Sequence, residues 1–286
     1  MQEVNQVKAA RRTSGNAVVI RLVCVLLGLL GFVGCAQSRN AKPTPEAAKR
    51  FLKLRGYDFN DKSFLRAAAA NDLVAVNGFL AAGIDPNVKN QDGATALISA
   101  AAQDHAEIVK ALLQGSADVN LKDNNGYTAI LRATQNKHDE IADLLVVQKN
   151  LDLNTRGSIG GTVLMSYVWR EQEDIVKNLL ELGADPNLSD EDGDTALHGA
   201  AMRGNANLVR ILLANGANPN ARNKIGGTAL MWAGVYGHDE AARALLEYGA
   251  DPALQDNDGI TASGWAAKNH RDDLAKLLRA AEKKKQ

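Results

Sequence analysis

Chemistry in this chain would have to come from a small set of side chains: five histidines, two cysteines and one run of alternating aspartates. The histidines are His105, His138, His198, His238 and His270, and none has a Cys or a second His at metal-ligand spacing. Three of them, His105, His138 and His238, each follow by ten residues a threonine that itself recurs (Thr95, Thr128, Thr228), which gives them a place in a repeated turn rather than in a catalytic cluster. Asp190, Asp192 and Asp194 alternate like the ligands of a calcium loop, but the twelfth position of such a loop, where a bidentate Glu is needed, is Ala201. No Gly-x-Ser-x-Gly elbow occurs, and no glycine loop precedes a Lys-Ser or Lys-Thr pair. The chemistry-bearing residues therefore imply neither catalysis nor a cofactor or metal, and the elements that position them carry the argument instead.

Those elements repeat. Thr95, Thr128, Thr162, Thr195, Thr228 and Thr261 are spaced by 33, 34, 33, 33 and 33 residues, the signature of a solenoid. Each threonine stands where its hydroxyl caps a short helix. Alanine pairs in that first helix (Ala100-Ala101, Ala200-Ala201, Ala266-Ala267) permit close approach of a neighbour. A second helix carries Ile, Val and Leu at i, i+1, i+4 and i+5, as in Ile108-Val-Lys-Ala-Leu-Leu113 and Leu208-Val-Arg-Ile-Leu-Leu213, one stripe facing the next unit. Gly183, Gly216 and Gly249 follow these helices, where a left-handed residue ends them. One helix pair buries too little to stand alone, so stacking must supply the stability. Seven units are countable, the first from Lys62 to Asn90 without the Gly-Thr turn. The third has an extra residue and no glycine at its helix end (Leu145–Asn154), and the fourth replaces the alanine pair with Tyr167-Val168, bulk that predicts a locally wider spacing.

Asp192-Gly-Asp-Thr-Ala-Leu-His-Gly-Ala-Ala201, Ile175-Val-Lys-Asn-Leu-Leu180 and Gly183-Ala-Asp-Pro-Asn187 resemble the turn and first helix, the second helix and the closing loop of an ankyrin repeat. The resemblance covers about 60–286 and implies an all-α ankyrin solenoid over 61–286, with β-turn fingers, that binds another protein. Ankyrin proteins bind mainly through finger tips and the exposed ends of first helices on the concave side. Carried onto this chain, that selects Tyr127, Ile159, Trp169, Arg170, Met202, Arg203, Ile225, Val235 and Tyr236 as partner-binding residues. Their counterparts toward the ends, Gln91, Gln103, Asn136, Asn257 and Asn269, are polar, which gives an apolar centre with a polar rim. Trp232 and Trp265 fall where large residues pack between helices and are read as core.

Composition narrows the partner. The 286 residues carry 33 Lys+Arg against 33 Asp+Glu, which disfavours nucleic acid, since phosphate binding needs a cationic surplus. The basic stretch 1–21 (Lys8, Arg11, Arg12, Arg21) precedes the apolar run Leu22–Val33, then Gly34 and Cys35, the layout of a secretory signal peptide over 1–34. Twelve helical residues rise only ~18 Å, short of a ~30 Å hydrocarbon layer. Phe32-Val33-Gly34-Cys35 resembles a bacterial lipobox, with Phe32 where Leu is usual, and that implies diacylglycerol on the Cys35 thiol. An ordinary signal peptide with an incidental Cys, or an uncleaved anchor from Ala17, are the other readings of the segment. Residues 35–47 read as a flexible tether and 48–60 as an N-terminal capping helix, its start near Pro45 or Glu46 and its stripe Ala47, Phe51, Leu52 and Leu54.

The expectation is a monomeric, lipid-anchored scaffold in a bacterial envelope, facing the periplasm from the outer membrane, without catalytic activity. An enzyme or metal-handling protein with a site in the groove, and a cytosolic ankyrin regulator, are the alternatives. Cys35 is the lone acylation candidate at a cleavage site, so Cys35→Ser should leave the chain soluble or uncleaved. Membrane fractionation with a mass measurement of the mature N-terminus checks it; unchanged membrane partition with normal cleavage would sink the lipobox.

Overall fold

The computed structural model describes residues 43–285 as fifteen helices, with no strands beyond isolated bridges among the described residues. The signal-like segment 1–34, Cys35 and tether residues 36–42 lie outside the described residues. None of the described helices is long and apolar enough to cross a membrane.

The chain forms two compact units, one up to Asp85 and one from Pro86. The first holds α1 (Pro45–Leu54), α2 (Asp61–Ala69) and α3 (Leu73–Ala81), with α1 and α2 both packed on α3. Each start is set by a side-chain cap: Thr44 with Pro45 at the first turn, Asn60, and Asp72. Helix α1 therefore starts at Pro45, inside the stretch read as tether, and it stops at Leu54, where left-handed Gly56 turns the chain. Its buried residues are Ala48 and Leu52, four apart, whereas Leu54 is exposed, so the expected stripe is rotated toward Ala48. Leu52, Phe64 and Phe79 are the fully buried centre, with the Tyr57 and Phe64 rings edge-on to Phe79.

The second unit stacks six helix pairs: α4 (Ala96–Ala102) with α5 (Ala106–Gln114), α6 (Ala129–Gln135) with α7 (Asp139–Val146), α8 (Val163–Trp169) with α9 (Glu173–Glu181), α10 (Ala196–Arg203) with α11 (Ala206–Ala214), α12 (Ala229–Tyr236) with α13 (Asp239–Glu247), and α14 (Ala262–Lys268) with α15 (Asp272–Lys285). Besides its own second helix, each first helix packs chiefly on the first helices of adjacent repeats, so the core is a continuous layer. The alanine pairs lie at its seam: Ala100, Ala101, Ala200 and Ala201 have no exposed surface. The threonine cap forms as expected at Thr95, Thr162, Thr228 and Thr261, whose hydroxyls accept the amide three residues on. At Thr195 the ring of His198 takes the place of that bond, and the Thr128 hydroxyl is buried without a partner.

Between pairs the chain runs out into a finger. In every finger the residue five before the threonine donates its amide to the carbonyl one before it, as Asp190 does to Asp194 at 2.9 Å. The glycine two before the threonine closes the turn in the left-handed region. At Gly160 (φ +75°) a Cβ would also stand 2.6 Å from the Glu191 amide of the next finger, so only glycine fits. Fingers are then tied edge to edge, the Glu191, Lys224 and Asn257 amides donating to the Ile159, Asp192 and Ile225 carbonyls.

The irregular third repeat behaves as its sequence predicts. Helix α7 ends at Val146, and the extra residue is taken up in a turn at Gln148–Leu151, with Gln148 Nε2 bonded to the Leu144 carbonyl in place of a left-handed glycine. Tyr167 is wholly buried in α8, and α6 and α8 make the least contact of any adjacent first helices in this unit.

Leu212 on α11 has no exposed surface and is covered on both sides by the helix layer. Leu212→Ala should cost about 2–5 kcal/mol, the range for truncating a buried leucine, with damage spreading to adjoining repeats. Chemical denaturation measures it; a midpoint equal to wild type would move the core stripe elsewhere.

Candidate protein-binding face

Finger tips and the ends of first helices vary in residue type from repeat to repeat, and some of them tie the scaffold, as Asn136 Nδ2 does to the Ala102 carbonyl. At the tips, three residues before the threonine, stand Ile159 and Ile225, 62% and 56% exposed. At the helix ends, seven and eight residues after it, stand Trp169 and Tyr236, 48% and 44% exposed. Four large apolar side chains from the fourth and sixth repeats are thus held in water at finger tips and helix ends.

The other expected residues divide. Val235 is half-buried beside Tyr236, whose ring stacks on Trp232 and His238 with centroids 6.2 and 6.1 Å apart. Met202 is half-buried, and its carbonyl accepts a bond with His238 Nε2. Tyr127 is not free: its ring lies against Gly157, its hydroxyl bonds Ser158 Oγ, and the Arg132 guanidinium sits 4.0 Å over its face. Arg170 is turned away as well, pairing with Asp139 and lying over the Tyr167 ring. Arg203 pairs with Glu171 through Nε and Nη2, but both ends of that bridge are substantially exposed. Charges at helix ends are drawn to carboxylates one repeat back, a long-range pairing that spacing within one repeat does not reveal.

The tryptophans read as core are only half-buried. Trp265 donates Nε1 to Asp256 Oδ2 at 2.7 Å, while the Trp232 indole N–H is buried without a partner. Both sit on the finger side of the first helix, four residues after the threonine, and not in the seam.

A cleft of about 240 Å³ lies on this face between the fourth and fifth repeats. Met165, Val168 and Trp169 of α8 form one wall, the finger residues Asp190, Asp192 and Asp194 another, and Gly199 and Met202 of α10 close it. By sequence the three aspartates resemble only an incomplete calcium loop, and Gly199 carries no signal within its own repeat. The missed signal is that Gly199 stands where other repeats carry Ser99, Arg132, Ser166, Trp232 and Trp265. Among the described residues no group of three His, Cys, Asp or Glu is placed to hold a metal ion.

His198, next to Gly199 on α10, is fully buried. Its Nδ1 accepts the Thr195 amide at 3.0 Å, which makes Nε2 the protonated nitrogen, 3.3 Å from the Gly227 carbonyl of the next repeat. Two of the three recurring histidines are inter-repeat ties: His138 and His238 reach back with Nε2 to the Ala102 and Met202 carbonyls.

A family model for ankyrin repeats, in three-copy form, matches residues 64–157 and 164–256. The chain belongs to the ankyrin repeat family. Among solved structures it is similar to the ankyrin repeat domain of Bcl-3, a member of the IkappaB family, at 28% identity over 76% of this chain and 97% of that one, with a TM-score of 0.63. An ankyrin repeat domain from Acinetobacter baumannii AYE aligns at 29% identity over 67% of this chain and all of that one, TM-score 0.61. A search of curated proteins found no significant match.

Burial holds the His198 imidazole below its ordinary value, outweighing the nearby Asp194 and Asp190 carboxylates, which favour the charged form. The unfolded chain protonates His198 near its usual pKa of about 6.5, so below that pH the unfolded state binds more protons and stability falls. His198→Met, the residue type at Met165 and Met231, should flatten the pH dependence between pH 7 and 5, removing a slope of up to about 1.4 kcal/mol per pH unit. Parallel melting curves across that range decide it; equal slopes would mean that His198 is not the titrating group.

Proposed function

We propose that this ankyrin chain is a lipid-anchored, extracytoplasmic scaffold that binds another protein through the face formed by its fingers and first-helix ends, without catalysis of its own. Ankyrin repeats serve as protein-interaction surfaces, and the observation that carries the proposal is the exposed set Ile159, Trp169, Ile225 and Tyr236 on rigid elements of the fourth and sixth repeats. Arg203 and Met202 complete its centre. Tyr127 and Arg170, held by their own chain, support the surface from behind. The signal-like segment 1–34 and Cys35 motivate attachment to a bacterial envelope membrane, with the periplasmic side as the working location.

Successive repeats bring their helix ends roughly 10 Å apart, the usual separation of packed helices, so one partner spans the set. Trp169→Ala should weaken a partner captured from envelope extract by about 2 kcal/mol or more, as loss of a central aromatic anchor does. The fold should lose much less, because half of that ring faces water. A paired measurement of thermal midpoint and partner retention tests this. Loss of stability with binding intact per folded molecule would assign Trp169 to the core.

A further inference from the structure

We propose that the cleft between the fourth and fifth repeats seats an arginine side chain of the bound protein, with Asp190 as its counter-ion and Trp169 as its wall; the proposal rests on the reading of this face as a protein-binding surface. The argument comes from a comparison among the repeats. In five fingers the side chain five residues before the threonine folds back on its own turn, its Oδ1 accepting two amides: Asn90, Asp123, Asp190, Asn223 and Asp256 all do so. Three of these are carboxylates, so a second oxygen and a full charge remain.

Two of the three are answered within the chain. Asp123 Oδ2 takes Arg132 Nε at 3.1 Å and Nη2 at 2.5 Å, and Asp256 Oδ2 takes Trp265 Nε1 at 2.7 Å. In both cases the donor stands four residues after the threonine. In the fifth repeat that position is Gly199, which has no side chain, and no donor among the described residues reaches Asp190 Oδ2. Asp190, Asp192 and Asp194 join no ion pair among the described residues. The space where Gly199 lacks a side chain is the cleft itself.

The chemistry of the missing donor is displayed in the third repeat. There one guanidinium bonds Asp123 and lies 4.0 Å over the Tyr127 ring, a carboxylate and an aromatic face around one planar cation. The fifth-repeat cleft offers the same pair, Asp190 and the half-exposed Trp169, with Met165 and Met202 as pliant walls. Its volume of about 240 Å³ falls below the ~300–1,000 Å³ of small-molecule pockets and suits a single long side chain. Arginine fits better than lysine, because only the planar fork both stacks on an indole and bonds a carboxylate through two N–H groups.

Two substitutions separate the slot from the fold. Asp190→Asn removes the charge and keeps the turn, since Asn90 and Asn223 make the same two bonds in their own fingers. Gly199→Leu fills the cleft; a Cβ there meets nothing nearer than 3.5 Å, and other repeats carry side chains at this position. The probe is N-acetyl-arginine methylamide against its uncharged citrulline isostere, titrated into the full chain in non-ionic detergent and followed by ligand-observed NMR. The arginine probe should bind in the millimolar range, with citrulline, Asp190→Asn and Gly199→Leu each at least about tenfold weaker, the loss expected for a charge-assisted bond. Asp258→Asn, in another finger, should change nothing. Equal binding of the two probes, no saturable binding, retention by folded Asp190→Asn, or calcium binding in place of the arginine probe would overturn the slot; should Gly199→Leu fail to fold, Asp190→Asn decides alone. The two readings part in partner capture: capture lost on Tyr236→Ala but unaffected by Asp190→Asn and by excess arginine amide leaves the binding face standing and removes the slot.

Discussion

Stacking is held in register by one asparagine in each of the first five repeats. Asn87, Asn120, Asn154, Asn187 and Asn220 each accept, through Oδ1, the backbone amide of the next closing loop at 2.7–2.8 Å. From Asn120 onward the same side chain donates Nδ2 to a carbonyl of that next repeat, as Asn187 does to Gly216 at 2.9 Å. A helix pair of seven to nine residues per helix has no independent stability, so every other feature depends on neighbours being held at one fixed offset. An amide side chain suits the task because it offers an acceptor and a donor at once. Each bond contributes only about 1 kcal/mol net, but it repeats along the array.

With register set by this ladder, by the finger-to-finger amides and by the alanine seam, the remaining positions are free to differ. Residues three before and seven or eight after each threonine stand at finger tips and helix ends; Gln103, Asn136 and Asn269 there bond backbone carbonyls through their side chains, whereas Ile159, Trp169, Ile225 and Tyr236 offer apolar surface. Rigid support lowers the entropy lost when a partner is bound, so a modest set of anchors suffices. The irregular junction at the third and fourth repeats belongs to the same logic: buried Tyr167, whose hydroxyl burial pushes up to about 12, takes the place of small seam residues directly beneath Trp169 and Arg170.

Charge within the fingers follows a second rule. A carboxylate folded back on its own turn satisfies one oxygen with backbone amides and leaves the other needing a donor, because an ionised group shielded from water without a partner is costly. Arg132 and Trp265 supply that donor from the first helix. Where the helix offers Gly199 instead, the charge is left to face open space beside an indole. The exception is therefore defined by comparison with equivalent positions in the same molecule.

The sequence by itself determined the repeat length, the helix pairs, the left-handed glycines and four of the six threonine caps, because each is a local pattern recurring about every 33 residues. It also foretold the loose third junction from the extra residue and Tyr167. Only the tertiary structure decided which candidates are available. Tyr127, Arg170 and Trp265 looked free or buried by residue type alone, yet each is placed by a partner that lies across a finger or in a neighbouring repeat: Ser158 and Arg132, Asp139, Asp256. Gly199 is unremarkable in its own stretch of chain, and Asp190 stands out there only as part of an incomplete calcium loop. They become a cleft only when α8 brings Trp169 against α10, since a space is made by what surrounds it and not by the residues that leave it empty.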